Sequence, residues 1–216
     1  MIKVIEKGVK MKRILIYGDS NLWGFNFIEN KRLDDKYQWA NMLKEYLGPE
    51  YNIIQEGLPG RVAGNIDNKK LYKNGKASFD AIYRSCTPVD YIIIALGTND
   101  LSIEYDRTAH DIYNDLMWYK ERVKEIYADP VYKQRYFNEF PKFIYVLPGN
   151  FDYLNDAKDF YDLSREEERQ KLIKIFKDNN LEIYVELNNI ELIKGDGIHY
   201  STKGQQQVFE EVKKIF

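Results

Sequence analysis

The chain has 216 residues, of which 44% are apolar and 31% are charged, and its formal net charge is −2. This length fits one domain with a sizeable core, and the balanced, interspersed charges give no indication of a nucleic-acid or anionic membrane partner. No stretch approaches the roughly 20 apolar residues that a membrane helix needs.

Short apolar runs alternate with longer amphipathic stretches, which is the pattern of a parallel α/β sheet. The apolar runs, which we interpret as buried strands, are Ile14–Tyr17, Tyr51–Ile54, Tyr91–Leu96, Phe143–Leu147 and Leu181–Val185. Together with the intervening helices they predict a flavodoxin-like, three-layer α/β/α sandwich with a five-stranded parallel sheet. We expect a single domain over residues 1–216, with residues 1–12 as an optional extension before the first strand.

Helical periodicity appears between these runs. The predicted helices are Tyr37–Leu47, with Trp39, Met42, Leu43, Tyr46 and Leu47 on one face, Thr108 to Ala128, Arg165–Lys177 after a capping box at Ser164–Glu167, and a final helix after an N-cap at Ser201. The segments Leu58–Arg84 and Asp129–Pro141 are interpreted as elaborated loops.

Three polar clusters follow predicted strands: Gly18–Ser20, Gly97–Asp100 and Asp196–His199. Ligands of open parallel sheets bind beyond the carboxyl ends of the strands, so clusters at these ends carry more weight than clusters elsewhere. Each cluster alone is ordinary turn chemistry. Their joint placement indicates a site.

The residue types in these clusters fit acyl transfer. A serine hydroxyl such as that of Ser20 needs a base, and His199 is a suitable one at neutral pH. Asp196, three residues before the histidine, can hold its tautomer. The Ser20 N–H, a glycine N–H after the second strand and the Asn99 amide are suitable donors to an oxyanion.

Four blocks in this order resemble the SGNH hydrolases, also called GDSL-type esterases and lipases. The blocks are Gly18-Asp-Ser20, Gly57-Leu-Pro-Gly60-Arg61, Gly97-Thr-Asn99-Asp100 and Asp196-Gly-Ile-His199, and the resemblance spans about residues 13–210. The segments Gly18–Gly24, Glu56–Arg61 and Asn65–Asp67 resemble the arylesterase and acyltransferase branch in particular.

The resemblance implies a serine esterase acting on small, often acetyl, esters through an acyl-serine. Ser20 would be the nucleophile, His199 the base and Asp196 the orienting acid, with the N–H groups of Ser20 and Gly60 and the Asn99 side chain as the oxyanion hole. Acyl transfer to an alcohol, carbohydrate O-deacetylation and a non-catalytic ligand-binding role remain as alternatives. Asn21 stands where the family's common name has leucine, and the loop Val62–Asn65 departs from relatives.

Several other residues admit a second interpretation. Trp23, Phe25 and Phe27 are candidates for the pocket wall, and Trp23 is preferred because it lies three residues from the proposed nucleophile. Arg61 either contacts substrate or pairs with a loop carboxylate. Asp19 and Asp100 are interpreted as structural turn residues, and His110 as a surface residue.

The only predicted partner is a small ester substrate, and the sequence leaves open whether the chain forms a homo-oligomer. With two histidines and no clustered cysteines, neither a metal nor a cofactor is expected. A single cysteine, Cys86, fits a reducing, cytoplasmic location and is interpreted as an inert thiol.

Overall fold

The computed structural model of the chain describes residues 11–67, 70–131, 133 and 139–216. The strands within these ranges are β1 Lys12–Gly18, β2 Phe25–Asn26, β3 Lys31–Arg32, β4 Tyr51–Gly57, β5 Tyr91–Ala95, β6 Lys142–Val146 and β7 Ile183–Val185. Five of them form a parallel sheet in the order β4-β1-β5-β6-β7, and β2 pairs with β3 as a short antiparallel hairpin.

The register of the sheet brings three strand ends to one level. Gly18 at the end of β1 lies opposite Gly57 of β4 on one side and Ala95 of β5 on the other. The chain thus leaves three neighbouring strands at one edge. Because β4 and β5 lie on opposite sides of β1, the strand order reverses at β1, where an open α/β sheet leaves a crevice.

Helices cover both faces of the sheet, and the predicted three-layer sandwich is confirmed. The helices are α1 Ser20–Trp23, α2 Trp39–Leu47, α3 Gly75–Cys86, α4 Ala109–Ala128, α5 Leu163–Asn179 and α6 Thr202–Val212. Side chains of α3, α4 and α5 form one apolar layer with Tyr17, Ile94 and Tyr145. Side chains of α2 and α6 form the other layer with Ile16 and Ile93.

The periodic helices begin close to the predicted residues. Thr108 caps α4 in a reciprocal capping box with Asp111, and the Ser201 hydroxyl accepts the Gly204 N–H of α6 at 3.1 Å. The cap of α5 is different from the predicted one. Asp162 caps that helix by accepting the Arg165 N–H, so the helix begins before the predicted Ser164 box.

Three other expectations are corrected. The segment Leu58–Arg84 is not all loop, because Gly75 begins α3, which buries Phe79, Tyr83 and Cys86 on one face. Tyr46 belongs to α2 but is 58% exposed, so it lies off the buried face. The last strand begins at Ile183, not at the exposed Leu181.

Two predicted segments fall partly outside the described residues. Residues 1–10 of the optional extension lie outside them, whereas Lys12 is already part of β1. Residues 132 and 134–138 of the predicted insertion Asp129–Pro141 also lie outside them. Among the described helices, none combines the length and the apolar character that crossing a membrane requires.

Candidate active site

Ser20, His199 and Asp196 lie within hydrogen-bond distance of one another at the carboxyl edge of the sheet. His199 Nε2 is 2.9 Å from Ser20 Oγ, and its Nδ1 is 2.9 Å from Asp196 Oδ2. Ser20 and Asp196 are each 6% exposed, and the His199 side chain retains 15% exposure. A hydroxyl, an imidazole and a carboxylate in this order can move a proton away from the hydroxyl.

The turn at the end of β1 sets the position of Ser20. Asp19 has an extended backbone and caps α1 by accepting the Asn21 N–H at 2.9 Å, so Ser20 is the first residue of the helix. This structural role of Asp19 is the predicted one. Gly18 permits the tight turn, because a Cβ there would lie 2.8 Å from Leu22 Cβ and 2.9 Å from the Ala95 carbonyl oxygen.

A second turn positions His199. The Asp196 carboxylate accepts the His199 backbone N–H at 2.7 Å in addition to its contact with the ring. Asn21 joins the two turns: its Oδ1 accepts the Tyr200 N–H at 3.1 Å, and its carbonyl oxygen accepts Gln205 Nε2 at 3.0 Å. The residue at which the chain departs from the family's common motif therefore links the turn of the serine to the turn of the histidine.

Gly60 and Asn99 line the same cleft as Ser20. Asn99 Nδ2 donates one hydrogen bond to the Arg61 carbonyl oxygen at 3.0 Å, which leaves its second amide hydrogen free. Gly60 has φ +78°, a conformation that glycine adopts without steric cost. Among the described residues, the N–H groups of Gly60 and Ser20 have no acceptor, so three donors are available beside the hydroxyl.

Arg61 does not face the cleft, and its interpretation as a substrate contact is wrong. It is 3% exposed, and its Nη1 donates to the carbonyl oxygens of Gly18, at 3.0 Å, and Glu56. Its guanidinium lies 4.0 Å from the ring centroid of Tyr17. Arg61 thus connects the ends of β1 and β4 from beneath the site, where no substrate reaches it.

Aromatic side chains form the walls of the cleft, whose volume is about 520 Å³. Phe25 packs edge-on against the His199 ring with 4.8 Å between centroids, and Phe27 and Phe160 lie at the mouth. The preferred candidate, Trp23, is not part of the lining. Its ring lies 6.2 Å from that of Phe25 and under the Arg32 guanidinium, so Phe25 takes the predicted place.

Burial and hydrogen bonds shift the pKa values of the two acids nearest Ser20 in opposite directions. Burial raises the pKa of Asp196, but hydrogen bonds and the charge of His199 outweigh it, so the net pKa lies below its ordinary value. Burial dominates at Asp19 and raises its pKa to about 6 despite the Asn21 N–H. Asp196 is therefore the carboxylate that stays ionised against an imidazolium.

Asp100 supports the loop that carries Gly60. It is fully buried, and its carboxylate accepts the Ala63 N–H at 2.8 Å and Arg107 Nη1 at 2.7 Å. Arg107 also pairs with Asp115 on α4. Asp100, which is predicted to be a structural turn residue, therefore connects the loop of Gly60 to α4.

His110 is exposed at the start of α4, and Cys86 is buried at the end of α3. Within the described ranges, no group of three or more His, Cys, Asp or Glu side chains could hold a metal ion. Sequence reasoning named Phe25 and Phe27 as pocket candidates after Trp23, and both line the cleft. It missed the link that Asn21 makes between the turns of Ser20 and His199, because that link depends on contacts distant in sequence.

Comparison with known protein families finds one match. Residues 14–212 match the model of the GDSL-like lipases and acylhydrolases. A search of curated proteins finds no match.

Solved structures similar to this chain have the same fold. A native aryl esterase of M. smegmatis is 23% identical, with a TM-score of 0.78 and coverage of 95% of this chain and 100% of that one. A carbohydrate acetylesterase from Sinorhizobium meliloti is 24% identical, with a TM-score of 0.75 and the same coverages. A lipolytic G-D-S-L family protein from Veillonella parvula DSM 2008 is 15% identical, with a TM-score of 0.63 and coverage of 95% and 98%.

Proposed function

Because the chain belongs to the family of GDSL-like lipases and acylhydrolases and is a serine ester hydrolase, we propose that Ser20 is its nucleophile, with His199 as the base and Asp196 as the orienting acid. The observation that carries this proposal is the pair of contacts at His199, 2.9 Å to Ser20 Oγ and 2.9 Å to Asp196 Oδ2. One imidazole thereby bridges a hydroxyl and a carboxylate.

The first half of the reaction forms an acyl-serine. His199 Nε2 accepts the Ser20 hydroxyl proton as Oγ attacks the ester carbonyl carbon. Asp196 accepts the Nδ1 proton in a hydrogen bond and stabilises the imidazolium. The oxyanion of the tetrahedral intermediate accepts hydrogen bonds from the Ser20 and Gly60 N–H groups and from Asn99 Nδ2. The intermediate then collapses as His199 gives its proton to the departing alcohol.

The second half hydrolyses the acyl-serine. A water molecule gives a proton to His199 Nε2 and attacks the acyl carbonyl, and collapse of the second intermediate returns the proton to Ser20 Oγ. The products are the free acid and the regenerated hydroxyl. The cleft is open to solvent at His199, which remains partly exposed, so water has access to the acyl-enzyme.

The natural substrate class that we propose is a small ester with a short acyl chain. The cleft of about 520 Å³ is narrowed at Ser20 by Phe25 against His199, which leaves little room for a long chain beside the hydroxyl. A carbohydrate O-acetyl ester is a second candidate. It is favoured by Phe27 and Phe160, which are 47% and 57% exposed at the mouth and offer flat apolar faces to a sugar ring.

The test is turnover of a short-chain aryl acetate by wild type and by Ser20→Ala. We expect the substitution to reduce kcat by several orders of magnitude, because no other group replaces the attacking oxygen. Ser85→Ala, at the exposed end of α3, is the matched control and keeps the wild-type rate. A fluorophosphonate probe provides a second measurement, since it labels an activated serine.

Full activity in Ser20→Ala, or labelling at a different serine, would refute the assignment.

An added alcohol in the same assay measures acyl transfer, because transfer yields the ester of that alcohol. Acetylated sugars in place of the aryl acetate test the second candidate, which fails if wild type releases no acetate from them.

A further inference from the structure

One wall of the cleft carries a lysine whose charge has no partner in the described part of the chain. Lys73 lines the cleft together with Ser20 and His199, and it is half-buried. No described carboxylate lies within 4.0 Å of its Nζ. Lys76, three residues later, is different, because it pairs with Asp115 at 2.5 Å. An ammonium on the cleft wall without a carboxylate partner is available for an anionic ligand.

The backbone of Lys73 is held in place on both sides. Its N–H donates to the Lys70 carbonyl oxygen at 2.8 Å, and its carbonyl oxygen accepts the Val62 N–H at 3.0 Å. The Gly75 N–H donates to the Val62 carbonyl oxygen at 3.1 Å, which fastens the same two segments again. The side chain of Lys73 therefore starts from a fixed point beside the loop of Gly60.

Gly60 provides the space that the lysine occupies. A Cβ built on Gly60 would lie 2.8 Å from Lys73 Nζ and 3.3 Å from its Cδ and Cε, so a side chain at residue 60 would displace the ammonium. The ammonium consequently lies next to one of the proposed oxyanion donors. A group bound by Lys73 lies beside the scissile ester.

The charges that face the cleft differ from one wall to another. Asp196 is paired with His199, and Glu104 is an exposed carboxylate that accepts a hydrogen bond from the Tyr105 hydroxyl. Glu104 and Lys73 do not form an ion pair with each other. An anionic group is thus attracted at the wall of Lys73 and repelled at the wall of Glu104.

We infer that Lys73 is a specificity residue that selects esters carrying a carboxylate in addition to the ester group. The ammonium donates a charge-assisted hydrogen bond to that carboxylate and fixes the substrate against Ser20. The inference rests on the proposed ester hydrolysis and adds a substrate class to it: acidic esters, with the carboxylate on the alcohol part or on the acyl part.

The experiment compares two acetate esters of equal shape and different charge, 4-acetoxybenzoate and 4-acetoxybenzamide. We expect Lys73→Met to lower kcat/KM for the benzoate about tenfold relative to the benzamide, because the carboxylate loses its charged donor. Lys73→Arg keeps the preference. Lys44→Met, an exposed position on α2, changes net charge equally and leaves the ratio unchanged. Added salt reduces the wild-type ratio towards that of Lys73→Met.

The acyl side is tested with 4-nitrophenyl hemisuccinate against 4-nitrophenyl butyrate in the same variants. Whichever pair depends on Lys73 identifies the part of the substrate that carries the carboxylate. An equal loss for charged and neutral esters, or ratios that Lys73→Met leaves unchanged in both pairs, overturns the inference.

If Lys73→Met does not fold, wild-type product inhibition decides. The inference requires 4-hydroxybenzoate to inhibit more strongly than 4-hydroxybenzamide, or succinate more strongly than butyrate. Equal or weaker inhibition in both pairs overturns it. If the proposed ester hydrolysis is itself wrong, the result is different, because the neutral esters then show no turnover at all.

Discussion

Asp19 is a buried acid next to the proposed nucleophile, and its protonation is coupled to folding. Burial raises its pKa from 3.8 to about 6, so the folded chain binds this proton more tightly than the unfolded chain. The stabilisation from protonated Asp19 is complete below about pH 4 and is lost as pH rises through about 6. A shift of this size corresponds to about 3 kcal/mol in the free energy of unfolding.

We therefore expect Asp19→Asn to gain stability relative to wild type as pH rises. The carboxamide oxygen can still accept the Asn21 N–H, but it does not ionise. Urea unfolding of both proteins from pH 4 to pH 8 gives the measurement, and the difference between their unfolding free energies cancels the other carboxyl groups. A difference that is constant over this pH range would contradict the assignment.

At the scale of residues, the sequence predicted side chains whose chemistry is local. Asp196 and His199 are three positions apart, so a single turn brings them together, and Asp19 caps the helix that follows it directly. Trp23 and Arg61 were misjudged because proximity in sequence does not determine on which side of a loop a side chain points. Arg61 points into the protein, towards the ends of β1 and β4.

The helix α6 provides a prediction at the scale of elements. Ser201 lies two residues after His199. Its hydroxyl accepts the Gly204 N–H and donates to a Glu191 carboxylate oxygen at 2.7 Å. Ser201→Ala removes this cap, and we expect the free energy of unfolding to fall by about 1 kcal/mol. Urea unfolding measures the loss, with Ser85→Ala as a serine outside any N-cap. A loss no larger than that of Ser85→Ala would show that the cap contributes nothing.

Elements with strong periodicity were predicted well, and elements with mixed signals were not. The five strands and α4 follow from β-branched runs and from apolar residues at helical spacing. The helix α3 was missed because Gly75 and several lysines around it are typical of loops, although Phe79, Tyr83 and Cys86 recur at helical spacing. Packing of these three side chains on the sheet outweighs the weak local propensity.

At the scale of the whole molecule, one sheet separates two apolar layers. Ile112 on α4 is fully buried in one layer and Ile144 on β6 in the other. We expect Ile112→Val and Ile144→Val each to cost about 0.5–1.5 kcal/mol in the free energy of unfolding. The two losses should add in the double variant, because the side chains share no layer. Urea unfolding of the four proteins measures this, and a coupling well above about 0.5 kcal/mol would contradict separate layers.

The distance along the chain between Ser20 and His199 has a consequence for the timing of activity during synthesis. The two residues are 179 positions apart, so synthesis adds the serine long before the imidazole. Until the turn of His199 reaches the turn of Ser20, the proposed nucleophile has no base and remains an ordinary alcohol. Under the proposed triad, a chain that ends before His199 does not cleave esters, and the appearance of esterase activity reports that His199 has reached its position in the fold.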